Sequence, residues 1–134
     1  MLYLSCPYSS PDPSVRAERA AAARESMATL IAAGHVTVCP VAMNHEAMEL
    51  LHAAGSPGGA YWRELENRLA RMCDELAVLR APGWRESRGV AREIGLFEAL
   101  GKSVRFIDQG SDMHDGPDPT PLTPDARTSH GDLS

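Results

Sequence analysis

The 134-residue sequence lacks most of the signatures that would settle a function directly. It has three cysteines, Cys6, Cys39 and Cys73, odd in number and widely spaced. They form neither a zinc pattern nor a disulfide framework, which points to a reducing, cytoplasmic setting. No apolar run approaches the length of a membrane span, so no membrane partner is expected. No basic region followed by an apolar stretch opens the sequence, so no signal peptide is expected. No GxGxxG follows the first apolar run, where the residues are CPYSSP, which excludes a nicotinamide fingerprint. Walker A and GxSxG patterns are also missing. His35, His45 and His52 are not spaced as metal ligands, so neither a metal nor another cofactor is expected. There is no internal repeat.

Excess charge is missing from most of the chain. The net charge is −5, and it comes from the end of the sequence. Residues 108–134 hold six aspartates and one arginine, while residues 1–107 balance 12 acids against 12 bases. Without a basic stripe, duplex nucleic acid is not expected as a partner. Residues 109–134 are rich in Pro, Gly, Asp, Ser and Thr and poor in apolar side chains, and are expected to be a disordered acidic tail. The expected folded domain is therefore 1–108.

What is present reads as alternating strands and helices. Leu2-Tyr3-Leu4-Ser5 is a short strand leaving through the turn-rich segment 6–11. Asp12 or Ser14 caps a long alanine-rich helix that ends at Gly34. Val36-Thr37-Val38-Cys39 is a β-branched strand stopped by Pro40. Asn44 opens a short helix over 45–54, and a second helix over 61–73 places Trp62, Leu65, Leu69 and Met72 at core spacing. Leu76-Ala77-Val78-Leu79 suits a strand covered on both faces. Ser87 caps a helix that Gly101 stops, and 103–107 is a fourth strand. The order implies an α/β fold: a small doubly wound, Rossmann-like (flavodoxin-like) parallel sheet of four strands flanked by helices.

Within this pattern Glu93 is out of place. On a helical wheel of about 100° per residue it falls about 60° from Val90, inside the arc shared with Ile94, Phe97, Leu96 and Leu100. A carboxylate there borders the stripe and reaches solvent, pairs with an arginine, or faces a cavity. Less than two turns from the helix start, it would lie where α/β sheets bind ligands. Burial raises its pKa and the helix N-terminus lowers it, a balance a nucleophile can use.

Asp74 is the second anomaly: it follows the last turn of a helix, where negative charge is disfavoured, unless it is an ordinary turn aspartate. Ser87 is an N-cap, and with Arg88 and Gly89 also a candidate anion site. Tyr8 and Ser9 follow the first strand and should lie beside Ser87, with Tyr8 either in the site or a packed loop aromatic, and Cys6 of the same loop is a further candidate binding residue. Trp84 is either a site residue or a hydrophobic plug. His45 and His52 are assigned to packing, and Arg63, Glu64, Glu66 and Arg68 to a solvated helix face.

The opening YLSCPYS resembles the YLAGPYS start of the nucleoside 2-deoxyribosyltransferase-like superfamily. CDELAVL, GWRESRGVAREIG and ALGKSVRF resemble its second signature, so that the likeness covers residues 2–107. Within the superfamily the chain is similar to the DUF1937-type proteins. The resemblance implies a Rossmann-like fold and cleavage or transfer at the N-glycosidic bond of a nucleoside or nucleoside 5′-monophosphate. By motif, Glu93 matches the nucleophile and Asp74 the carboxylate that protonates or orients the base. Ser87 and Gly89 match the loop that holds a 5′-phosphate, and Tyr8 lies in the loop that covers the sugar. Cys6 stands where the superfamily usually has glycine, and Ala91 where one branch has another. A homodimer or higher homo-oligomer is expected by resemblance. A non-catalytic nucleotide-binding or sensor module of the same fold is the alternative, and cleavage of a larger ligand such as NAD a third possibility.

Overall fold

The structure is a computed structural model and describes residues 1–56 and 58–114. The elements are β1 (Leu2–Ser5), α1 (Pro13–Ala32), β2 (Thr37–Val38), α2 (Pro40–Ala53), α3 (Gly59–Met72), β3 (Glu75–Leu79), α4 (Arg88–Ala99) and β4 (Ser103–Ile107). All strand pairs are parallel, and the sheet order is β2-β1-β3-β4. This is the α/β architecture expected from the alternation of elements.

Each segment takes its form for local reasons. The four residues of β1 and the last four of β3 are buried, as strands covered on both faces must be. α1 is capped by Asp12, whose carboxylate accepts from Ser14 N at 2.8 Å, with Pro13 in the first turn. Its buried residues Ala20, Ala23 and Leu30 recur at helical spacing, and the small ones let it lie close on the sheet. α4 is capped by Ser87, whose Oγ accepts from Val90 N at 3.1 Å. Lys102 closes the carboxyl end of α3 by donating to the carbonyls of Ala70, Arg71 and Cys73 at 2.7, 2.9 and 2.6 Å.

The alternation of side chains along β1 divides the core. Leu2, Leu4 and Cys6 face α1, with Ala23, Leu30, Cys39 and Ile107. Tyr3 points to the other face, with Ala70 of α3, Val90 and Phe97 of α4, and Leu76 and Val78 of β3. Tyr3 and Phe97 meet edge to face at 5.4 Å.

Four expectations change. α2 begins at Pro40 rather than after Asn44: extended Cys39 is its N-cap, and a proline in the first turn gives up an N–H that would have no helical partner. Met72 is 66% exposed and Leu100 38%, because each lies where its helix is ending and the neighbouring Cys73 and Phe97 take the buried positions. Residues 109–114 belong to the fold. Met113 is buried in the α1-side core, Arg105 Nη2 donates to its carbonyl at 3.1 Å, and His114 stacks on His35 at 5.2 Å. One apolar anchor is enough to carry the chain past the compositional boundary. The rest of the expected tail, 115–134, lies outside the described residues. Among the described residues no helix is long and apolar enough to cross a membrane.

Candidate functional site

The chain leaves β1 toward β2 on one side and leaves β3 toward β4 on the other. Between these diverging connections, at the carboxyl edge of the sheet, a parallel α/β fold opens a crevice. Here it is a cavity of about 540 Å³. Cys6 and Glu93 line it, with Tyr8 and Ser9 from the loop after β1. One wall comes from α2 and α3, through Val41, Met48, His52, Trp62, Arg63 and Glu66. The other is the start of α4, through Ser87, Arg88, Gly89 and Arg92.

Glu93 is 6% exposed and still reaches the cavity. Its Oε1 accepts from Ser5 Oγ at 2.6 Å and its Oε2 from the Tyr3 hydroxyl. Tyr3 and Ser5 are two apart on β1, so both point to the face that carries α4. Burial pushes the Glu93 carboxyl up, and the nearby Glu66 charge pushes it further. The Ser5 and Tyr3 hydrogen bonds and the Arg92 charge pull it back, to about 7. Burial, followed by the adjacent Glu93, holds the Tyr3 phenol well above its usual range.

Glu66 is a second carboxylate in the same cavity. Arg92 Nη2 binds its two oxygens at 2.9 and 3.1 Å, and Arg92 Nε adds a bond at 3.0 Å. Sequence reasoning set Glu66 on a solvated face, yet its side chain is only 14% exposed. The signal was present: Trp62, Glu66 and Ala70 recur every four residues, and Ala70 is the buried residue of α3.

Behind Tyr8 stands a polar network that the sequence reading also missed. The Tyr8 hydroxyl donates to Glu49 Oε2 at 2.6 Å and lies 2.8 Å from His45 Nδ1, which must then be the donor to it. Buried Arg16 grips Glu49 through Nε and Nη2 at 2.8 and 2.9 Å, and donates to the Ser10 carbonyl at 2.7 Å. The Arg16 and Tyr8 hydrogen bonds pull the Glu49 carboxyl down to about 2. Burial and Glu49 raise the Tyr8 phenol. The network ties the loop after β1 to α1 and α2. It also engages the Tyr8 hydroxyl, so Tyr8 contributes its ring to the cavity wall.

The structure thus brings Glu93, Cys6, Tyr8, Ser9, Ser87 and Gly89 together and leaves out two of the expected site residues. Asp74 precedes β3, so it sits at the amino edge of the sheet, a strand length of roughly 15 Å from the carboxyl edge. There its side chain is 83% exposed and paired with the Met1 amino group, which draws its pKa down. A residue before a strand cannot share a site with residues that follow the neighbouring parallel strand. Trp84 packs instead on the α4-side core, 5.5 Å from Phe106, with Arg85 over its ring. It is the plug.

Space does not demand glycine at 89, because a Cβ there would meet Arg92 Nη2 and Ser87 Oγ at an ordinary 3.8 Å. Among the described residues no three His, Cys, Asp or Glu side chains are grouped to hold a metal. A family model described as a domain of unknown function, DUF1937, matches residues 1–109. No curated protein matches the chain.

Proposed function

The chain belongs to the DUF1937 family. We propose that it cleaves or transfers at the N-glycosidic bond of a nucleoside or nucleoside 5′-monophosphate, with Glu93 as nucleophile. The observation that carries this reading is Glu93 itself: a buried carboxylate at a cavity surface, fixed through both oxygens and balanced near neutral pH. Such a group is ionised often enough to attack and is too constrained by Tyr3 and Ser5 to drift. Breaking a C1′–N bond develops positive charge on the sugar, and a carboxylate beneath C1′ can form a glycosyl-enzyme that water or a second base then resolves. The likeness of the YLSCPYS and SRGVAREIG segments to the nucleoside 2-deoxyribosyltransferase-like superfamily supports the same chemistry.

Glu66 takes the place that Asp74 leaves empty. Held in an ion pair with Arg92, it accepts hydrogen bonds from the base or the sugar hydroxyls. The free N–H groups at the start of α4, with Arg63 and Arg88 at the same mouth, favour an anionic end on the substrate. A homodimer remains part of the proposal, and light scattering on the purified protein tests it.

A binding module that keeps its nucleotide intact is the second reading. The position of Asp74, outside the cavity and without a part in base departure, favours it. One experiment separates the two: incubation with a panel of ribo- and deoxyribonucleosides and their 5′-monophosphates, with base release followed by chromatography. Release by the wild type that is lost in Glu93→Ala supports the enzyme. Equal background in both proteins across the panel, with calorimetric binding of an intact nucleotide, supports the module.

A further inference from the structure

Cys6 directly follows β1, and Cys39 caps α2 at the end of β2, the strand beside β1. Their sulfurs lie 3.9 Å apart. Both thiols are free and buried, Cys6 at 5% exposure and Cys39 at 0%. Only Cys6 lines the cavity. The residues that follow each of them, Tyr8 and Ser9 after Cys6 and Pro40 and Val41 after Cys39, line it as well. Nothing in the glycosidic chemistry uses either sulfur.

We propose that Cys6 and Cys39 form an oxidation site: a dithiol that peroxide reaches through the cavity and closes to a disulfide, drawing the Tyr8 loop and the start of α2 together and narrowing the cavity. In the first step Cys6 loses its proton and its thiolate attacks one peroxide oxygen. The O–O bond breaks, and the departing hydroxide takes up that proton, leaving a sulfenic acid and water. In the second step Cys39, as thiolate, attacks the Cys6 sulfur. The S–S bond forms, the S–OH bond breaks, and hydroxide leaves with the Cys39 proton as a second water. Two thiols lose two electrons, and one peroxide is reduced to two waters.

The geometry favours this pair over any other. The sulfurs must close from 3.9 Å to about 2 Å, which two side chains at the joints of a loop and a helix can absorb. Cys73 supplies the internal control. It is equally buried, at 1%, but belongs to the core on the opposite face of the sheet and faces no thiol. The hydrogen bond with Cys39, together with burial, holds the Cys6 thiol well above its ordinary range. Oxidation is therefore slow at neutral pH and speeds up as pH rises.

The full-length wild-type chain is treated with hydrogen peroxide at about pH 8.5, denatured, alkylated, and read by intact mass and peptide mapping. The expected product is about 2 Da lighter before alkylation, with a Cys6–Cys39 cross-linked peptide and an alkylated Cys73. Methionine oxidation adds mass and is distinguished by its sign. Cys73→Ser should give the same bridge, and Cys39→Ser should give none. Alkylation of both Cys6 and Cys39 after treatment, a bridge through Cys73, or a sulfinic acid at Cys6 without a bridge overturns the site. The narrowing has its own readout, independent of any substrate. Trp62 lines the cavity and Trp84 does not, so acrylamide quenching in Trp84→Phe reports on the cavity wall. Quenching should fall on oxidation and recover on reduction; if it is unchanged in a fully bridged sample, the disulfide does not narrow the cavity.

Discussion

The two ends of β3 hold carboxylates of opposite character. At the amino end stands Asp74, exposed and ion-paired, with its pKa drawn down by the Met1 amino group. Past the carboxyl end, on α4, stands Glu93, buried and held by two hydroxyls, with its pKa pushed up to about 7. The two belong to the same stretch of sequence, and the resemblance implies a catalytic part for both. The sheet sends them in opposite directions. A parallel strand has one end where helix N-termini and diverging loops leave a crevice, and another that the incoming chain fills. At the amino end the Asp74 N–H donates to the Met1 carbonyl, and the residues just before β2 receive the C-terminal segment through the His35–His114 stack. A carboxylate there anchors chain; a carboxylate at the other end faces open volume.

The largest effect expected from breaking this contrast is on turnover. Glu93→Gln should reduce base release by at least about 10³-fold, in the range seen when a nucleophile is removed. Comparable rates for Glu93→Gln and wild type, measured on a substrate that the wild type cleaves, would remove Glu93 from the chemistry.

Next comes pH. Glu93 has a folded pKa of about 7 against an ordinary 4.5, so between these values the folded state holds a proton that the unfolded state has lost. Its contribution should therefore be fully favourable to folding below about pH 4.5 and should decline as pH rises toward 7, by on the order of 3 kcal/mol. Glu93→Gln should lack that slope, and denaturant unfolding at several pH values measures the difference. Asp74 has the opposite sign: its lowered pKa stabilises above the unfolded value, and the stabilisation disappears as pH falls below it. If Glu93 is the nucleophile, activity must rise with pH through about 7 over the range where stability declines.

Ser87 sharpens the carboxyl end further. Ser87→Ala removes a donor to a charged phosphate, a loss of about 10- to 150-fold for a 5′-monophosphate. A plain nucleoside should lose little beyond the helix cap, about 1 kcal/mol of stability. An equal fall in kcat/KM for both substrates would leave Ser87 as the cap it visibly is.

Tyr3→Phe deletes one of the two hydroxyls on Glu93. The midpoint of the pH–rate profile should move up by roughly one to two pH units. An unmoved midpoint would show that the phenol does not tune the carboxylate.

The smallest effect belongs to Asp74. Asp74→Asn should leave base release unchanged and move the melting temperature only slightly, as an exposed ion pair does. A deep loss of activity in that variant would return the residue to the site, and the geometry of a single chain could not explain it.

Much of this was open to the sequence because it depends on local rules. Apolar runs of strand length, the Asp12 and Ser87 caps and the stops at Gly34 and Gly101 depend on a few neighbouring residues each, so element order and parallel class follow from them. Glu93 was legible for the same reason: a helix wheel is local, and a charge on the apolar arc stands out. So was the gathering of Tyr8 and Ser9 near Ser87, because segments that follow parallel strands share one edge.

Tertiary structure decided the rest, because the rest depends on which distant atoms meet. Glu66 joins Glu93 only because α3 and α4 pack on the same face, and no spacing within 62–70 reveals the Arg92 that holds it. Arg16, His45 and Glu49 are ordinary surface residue types in the sequence, and they become a network only where α1, α2 and the first loop converge. Met113 draws 109–114 into the core, although their composition alone reads as tail. Asp74 was misplaced because a motif gives the order of residues along the chain. Its place before β3 in a parallel sheet already sets it on the amino edge, away from the residues that follow β1; what needed the folded chain was its partner there, the Met1 amino group, which lies at the far end of the chain from it.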